Sequence, residues 1–182
     1  CLISLIKSMK SLSSLRNDIN LKLLVIDNSF DTTDNSEFKN ILNKSNIDYE
    51  IINHKNDEYK NKIQIDNNKE TFGNLSSLLK CYETAKLEVK DLVYFVEDDY
   101  IHEEKCLFEM IETYERISSQ LKREIFICPS DYPYLYTDIG QSRIFAGSNR
   151  HWRTVNKILC TFLVSKEHLS KYWDNFNKTC LI

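Results

Sequence analysis

Hydrophobic positions along this chain follow two alternating patterns, one typical of helices and the other of buried strands. Where apolar residues recur every three or four positions, the spacing predicts amphipathic helices. Short continuous runs rich in Val, Ile, Phe and Tyr predict strands that are buried on both faces. The predicted helices lie at 2–12, 38–42, 72–85, 107–117 and 169–176. The predicted strands lie at 21–26, 49–52, 92–96, 124–128 and 158–164.

The alternation of strands and helices predicts an α/β fold, with a mainly parallel sheet flanked by helices on both faces. Two polar stretches interrupt the alternation. Residues 55–70 are rich in Lys and Asn and predict a long surface loop, whereas residues 142–153 are basic and predict an irregular segment. Since no interdomain linker or internal repeat is visible, we interpret residues 1–182 as one domain.

The most informative stretch for function is the predicted strand at 92–96, which ends abruptly in Glu97, Asp98 and Asp99. In an open α/β sheet, ligands bind outside the carboxyl ends of the strands. Three adjacent carboxylates repel one another unless a cation lies among them, and hard oxygen ligands suit Mg²⁺ or Mn²⁺. The alternative is a solvated turn whose acids cap the next helix.

Composition narrows the functional classes. The 42% hydrophobic and 28% charged content is typical of a globular chain, and a net charge of −3 argues against a nucleic-acid surface. Six cysteines without metal or redox spacing favour free thiols and a cytoplasmic protein, with peripheral membrane association left open. The chain begins at Cys1 without Met, already in a helical pattern, so we expect it to be incomplete at its N-terminus.

Three features in this order resemble the GT-A glycosyltransferases, particularly family-2-like enzymes. Asp27 and Asn28 follow the first predicted strand, and Gly73 and Asn74 lie at the predicted start of a helix. The stretch 97–99, Glu-Asp-Asp, resembles a variant of the family's D-x-D motif. The resemblance covers the chain from the opening helix to about Val164. It implies a GT-A, Rossmann-like fold that lacks the family's first strand.

The resemblance also implies an activity, which is transfer of a hexosyl or N-acetylhexosaminyl group from a nucleotide-diphosphate donor, foremost a UDP-sugar. The acceptor is a hydroxyl of a glycan or of a lipid-linked substrate. Inversion is expected rather than retention, with Mn²⁺ or Mg²⁺ as cofactor. By position, the expected metal ligands are Asp99, Glu97 and His151. The expected donor-binding residues are Asp27, Asn28, Gly73, Asn74, Glu97, Asp98, Arg150 and Arg153.

An inverting transfer needs a base for the acceptor hydroxyl, and Asp131 is the first candidate. It follows the predicted strand at 124–128, while Asp138 is the second candidate. Tyr132, Tyr134 and Tyr136 predict either an acceptor groove or one face of an extended segment. Two alternative functions stay open, a nucleotidyltransferase or a non-catalytic domain of the same fold that binds carbohydrate or protein.

Overall fold

The computed structural model describes residues 1–28, 35–63, 69–137 and 141–181. It shows a mixed α/β protein whose described strands form sheets of two strands each. The chain forms two compact units, and each is described by itself. The first unit contains Cys1–Asp18 and Asp91–His168, and the second contains Ile19–Lys90 and Leu169–Ile182. The prediction of a single domain stays a prediction.

Six α-helices and six strands occur within the described residues. The helices are α1 (Leu2–Leu15), α2 (Asn35–Ser45), α3 (Lys69–Glu88), α4 (Cys106–Leu121), α5 (Lys166–Lys171) and α6 (Trp173–Cys180). The strands are β1 (Leu23–Asp27), β2 (Tyr49–Asn53), β3 (Leu92–Phe95), β4 (Ile144–Ala146), β5 (His151–Arg153) and β6 (Phe162–Ser165).

In the first unit, β3 and β6 pair in antiparallel register, from Leu92 opposite Ser165 to Phe95 opposite Phe162. Ile127 joins the other edge of β6 through a single antiparallel bridge to Leu163. The strands β4 and β5 form a separate antiparallel hairpin. Because β3 and the Ile127 segment both run opposite to β6, they run parallel to each other.

The core of the first unit forms between α1, α4 and the β3–β6 pair. The apolar face of α1 packs against α4, and the Phe95 and Phe162 rings lie 5.3 Å apart between centroids. At the end of α1, the Arg16 guanidinium donates to the carboxylates of Glu112 and Glu115 on α4. Packing and this ion pair therefore hold the two helices together.

In the second unit, β1 and β2 pair in parallel register from Leu23 opposite Tyr49. Helix α3 packs against β1 and also against α6, where the Tyr82 and Phe176 rings meet edge to face. The parallel arrangement follows from the crossover through α2, because parallel neighbours need a connection long enough to return the chain.

Most predicted elements are confirmed, and the differences concern pairing and the bounds of elements. The single helix predicted at 169–176 is two helices, α5 and α6. The prediction of a mainly parallel sheet holds for β1 and β2 and is wrong for β6, which runs antiparallel to its neighbours. No α-helix crosses between Ile127 and β6 in the described residues of that stretch, so the chain lacks the crossover that a parallel strand requires. The strand predicted at 124–128 is a single bridge at Ile127. The segment predicted to be irregular at 142–153 contains the β4–β5 hairpin instead.

None of the described helices combines the length and the apolar character that a membrane-spanning segment needs. All six cysteines lie in the described residues and form no disulfide with one another, and Cys180 is the one that is buried.

Candidate functional site

The acidic stretch at 97–99 forms an exposed turn directly after β3. Glu97 is tied to Thr161, the residue before β6. Its backbone N–H donates to the Thr161 hydroxyl at 3.3 Å, and its carboxylate accepts from the same hydroxyl. Asp98 and Asp99 occupy the turn itself, with their side chains exposed. The turn therefore presents two carboxylates to solvent at the end of a buried strand.

Asp131 emerges at the same edge of the sheet as this acidic turn. The β3 and Ile127 segments run parallel on either side of β6, so their carboxyl ends point the same way. The Tyr100 and Tyr132 hydroxyls are hydrogen-bonded to each other, which joins the residue after the turn to the residue after Asp131. The predicted proximity of Asp131 to the acidic stretch is thus supported within the first unit.

The Asp131 carboxylate is held by two side chains. Arg153 donates from Nη2 at 2.8 Å, and the Tyr136 hydroxyl donates to the other carboxylate oxygen. The hydrogen bond from Arg153, reinforced by the one from Tyr136, lowers the pKa of Asp131. The Arg153 guanidinium also covers one face of the Tyr136 ring at 4.0 Å and donates to the Leu135 carbonyl. Asp131 is therefore ionised at neutral pH and fixed in orientation.

The remaining predicted basic residues lie on or beside the β4–β5 hairpin. Arg150 makes an exposed ion pair with Glu103, a kind of contact that contributes little to stability. His151 begins β5 with its side chain exposed. Among the interactions of the described residues, Arg153 is the one predicted residue of this segment that contacts Asp131.

Glu109 on α4 is a residue that the sequence did not single out. Only 5% of its surface is exposed, and its carboxylate accepts from the Trp152 indole, from the backbone N–H groups of Asn149 and Arg150, and from the Thr113 hydroxyl. Burial raises its pKa, but these donors outweigh burial and the pKa is lowered overall. One carboxylate thus fixes the hairpin that carries Arg150, His151 and Arg153. In sequence Glu109 falls on the polar side of α4, beside Glu112 and Thr113, so hydrophobic periodicity offered no signal for its burial.

The other predicted donor-binding residues lie in the second unit. Asp27 ends β1, where its carbonyl accepts from the His54 N–H at 2.7 Å, and the Asn28 side chain donates to Ser77 of α3 at 2.8 Å. The predicted helix start at Gly73 and Asn74 is wrong, because α3 begins four residues earlier, at Lys69. The N–H groups of Gly73 and Asn74 lie in the second turn and belong to the intrahelical pattern. Donor binding at these positions stays a prediction.

His54 sits buried at the carboxyl end of β2, with 3% of its surface exposed. Its Nε2 lies 3.2 Å from the Ser76 hydroxyl, while Nδ1 is buried without a hydrogen-bond partner among the described residues. The Ser76 hydroxyl in turn donates to the Asn56 side chain. Burial lowers the pKa of His54, an effect that Lys80 reinforces and that Glu58 and Glu83 oppose.

We expect His54 to make the protein less stable in acid. A histidine whose folded pKa is lowered contributes its full stability above the unfolded pKa of about 6.5, and loses it as the pH falls from there through the folded value. Urea unfolding at pH 7.5 and pH 5.0 measures the loss. His54→Gln should reduce the difference between the two pH values, whereas His151→Gln, at an exposed position, should leave it unchanged. Equal pH dependence in all three proteins would contradict the assignment.

No metal-binding group of three or more His, Cys, Asp or Glu side chains occurs among the described residues. The described residues thus do not fit a ready-formed metal centre, and we derive no chemical step through a metal. Asp99, Glu97 and His151 stay predicted ligands. Asp138, the second candidate base, lies outside the described residues.

Comparison with known proteins adds no assignment: no protein-family model, no curated protein and no solved structure matches this chain.

Proposed function

We propose that this chain is a GT-A-like glycosyltransferase domain that moves a sugar from a nucleotide-diphosphate donor to a hydroxyl acceptor. The observation that carries the proposal is the exposed turn at 97–99, located at the carboxyl end of β3 and at the same edge as Asp131. In open α/β sheets, ligands bind outside the carboxyl ends of the strands, which is where these acids lie. The mixed α/β architecture is consistent with this fold.

The proposed chemistry assigns roles to Asp131 and Arg153 of the first unit. As the bond between the sugar and the diphosphate breaks, the acceptor hydroxyl attacks the anomeric carbon, which has oxocarbenium character as in glycoside hydrolysis. Asp131, as base, accepts the proton of that hydroxyl. Arg153 keeps Asp131 ionised and oriented, although the lowered pKa also makes the carboxylate a weaker base. Inversion follows if the acceptor attacks from the face opposite the leaving diphosphate.

A second candidate is a non-catalytic carbohydrate-binding domain of the same fold. Both oxygens of Asp131 accept hydrogen bonds, one from Arg153 and one from Tyr136. Such a fixed carboxylate suits a rigid binding surface as well as it suits a base. Nucleotide binding separates the two candidates, because a domain that only binds carbohydrate has no use for a nucleotide.

Replacing Asp99 by Ala is expected to abolish nucleotide binding. Titration calorimetry with UDP, GDP, ADP and CDP, each with and without Mn²⁺, measures it on the wild type and on the variant. We expect the wild type to bind one nucleotide, with a Kd of about 10–100 μM, and only with Mn²⁺. The metal dependence tests Mn²⁺ or Mg²⁺ as cofactor, since a diphosphate and carboxylates bind the same cation.

Asp91→Ala is the matched control for this experiment. Asp91 is also exposed, but it precedes β3 at the opposite end of the strand from Asp99. Binding that is lost in both variants, or retained in both, would remove the acidic turn from the donor site. Absence of binding by the wild type to all four nucleotides would contradict the transferase proposal.

A further inference from the structure

The segment that follows Asp131 contains an exposed aromatic surface to which the function proposed above assigns no role. It consists of Tyr132, Tyr134 and Tyr136, held by a short 3₁₀ turn at Pro133–Tyr136. The Tyr132 and Tyr134 rings stack, with centroids 5.5 Å apart and planes 15° from parallel. Tyr134 is 45% exposed and Tyr136 is 67% exposed. Leu135, between them, is buried and fixes the turn to the unit.

Each exposed ring is held in place on one side. Tyr134 stacks on Tyr132, whose hydroxyl bonds Tyr100. Arg153 covers one face of Tyr136, whose hydroxyl donates to Asp131. Large exposed aromatic rings that are fixed by such contacts lose little further entropy when a ligand covers them. The surface is therefore organised before any ligand arrives.

Hydrogen-bonding groups border these rings. Asp131 and Arg153 present a carboxylate and a guanidinium beside Tyr136. Next to Arg153 lies a small cleft of about 20 Å³, lined by Leu135, Gln141, Ser142, Arg153, Thr154, Val155 and Asn156. A cleft of that size admits one water-sized group and not a ring. Its polar lining suits a single hydroxyl.

We propose that Tyr134, Tyr136, Arg153 and the adjacent cleft bind a neutral oligosaccharide, which is the acceptor of the proposed transferase. A pyranose ring has an apolar C–H face that matches one tyrosine ring, and hydroxyls on its edge that pair with fixed donors and acceptors. In this arrangement one sugar residue covers Tyr136, another covers Tyr134, and one hydroxyl lies in the cleft. The inference rests on the proposed function only in calling the sugar an acceptor.

Charge and size favour this ligand over others. The chain has a net charge of −3, and without a bound cation the carboxylates at 97–99 and Asp131, which lie at the same edge, repel the many phosphates of a nucleic acid. A stable protein partner buries roughly 800 Å² on each side, whereas two exposed rings offer a small fraction of that area. A neutral sugar meets neither obstacle.

The test is titration of the full chain with chitotetraose, cellotetraose, maltotetraose and β-1,4-galactotetraose, up to about 10 mM because a small ligand of this kind binds with a Kd of millimolar order. Each titration is run with and without the nucleotide panel and Mn²⁺. We expect one oligosaccharide to bind, and both Tyr134→Ala and Tyr136→Ala to weaken its Kd about tenfold, through the loss of ring contact. Tyr172→Ala, at an exposed tyrosine of the second unit, is the matched control and should bind as the wild type does.

Tyr136→Phe separates stacking from the hydrogen bond to Asp131, since it retains the ring and should retain most of the affinity. Circular dichroism of each variant checks that the fold is kept, as expected for exposed positions. Failure of all four sugars to bind under either condition overturns the inference, and so does binding that is unchanged in both alanine variants. Because sugar binding is measured without nucleotide as well, its outcome is independent of the nucleotide titration that tests the transferase.

Discussion

Replacing Glu109 by Gln is expected to destabilise the protein by about 3 kcal/mol, although the two side chains have nearly the same shape. Among the described residues, every hydrogen bond to the carboxylate is donated by the neighbour, and N–H donors face both of its oxygens. In either orientation the Gln amide NH₂ therefore meets N–H groups. Charge-assisted hydrogen bonds contribute roughly 1.5–3 kcal/mol, and a buried donor left unsatisfied costs roughly 1–3 kcal/mol. The expected loss lies within these ranges.

Urea unfolding at pH 7.5 measures this change, and Glu104→Gln, at an exposed position, is the control with an expected change below about 0.5 kcal/mol. The lowered pKa of Glu109 adds a pH signature. Its stability contribution is present above the unfolded pKa of about 4.3 and is lost as the pH falls through the folded value. The difference between wild type and Glu109→Gln should thus shrink in acid. Equal stability at pH 7.5 would show that the carboxylate does not hold the hairpin.

Replacing Gly147 by Ala is expected to reduce the free energy of unfolding by about 3 kcal/mol, because the added methyl group would collide with Glu109 and its neighbours. A Cβ added at Gly147 would lie 2.3 Å from the Glu109 carboxylate, 2.6 Å from the Thr113 hydroxyl and 2.6 Å from the Trp152 indole nitrogen. Atoms cannot approach this closely, so the hairpin or the Glu109 side chain must move and its hydrogen bonds must lengthen. Overpacking alone costs typically about 1–3 kcal/mol, and the disturbed hydrogen bonds add to it.

Gly73→Ala is the matched control and is expected to raise the free energy of unfolding instead of lowering it. Among the described residues, a Cβ there meets only the Asn56 side chain, at 3.4 Å. The residue lies inside α3, where Ala is favoured over Gly by about 0.5–1 kcal/mol. The two glycine variants are compared by thermal and urea unfolding. A similar loss in both would indicate that hairpin packing around Gly147 is not the cause.

Combining Gly147→Ala with Glu109→Gln tests whether the two residues act through one interaction. The stability effects of substitutions at residues that share partners do not add, because the second substitution has fewer hydrogen bonds left to disturb. We expect the double variant to lose clearly less stability than the sum of the single variants. An additive result would separate the two effects and leave the Gly147 loss as overpacking alone.

The hairpin also connects these stability predictions to the proposed site. The carboxylate of Glu109 positions the backbone at Asn149 and Arg150, and the same hairpin carries Arg153, which holds Asp131. A loosened hairpin would therefore change the orientation of Asp131 without altering any residue at the sheet edge. Stability and sugar binding are expected to fall together in Glu109→Gln.

The sequence by itself determined most helices and strands and the exposed acidic turn after β3. These features depend on hydrophobic periodicity over ten to twenty residues, and α1, β2, β3 and α4 lie where that periodicity predicts them. The acidic turn was predictable for the same reason, because polar residues that end an apolar run mark the end of a buried strand.

Strand direction and the role of Glu109 were decided only by the tertiary structure. Periodicity shows that β6 is buried but not which way it runs, since direction depends on how the intervening chain returns to the sheet. Glu109 looks like an ordinary helical acid in sequence, because the donors that make its burial favourable come from residues about forty positions later. Likewise, the requirement for glycine at position 147 follows only from the side chains that the fold places against it.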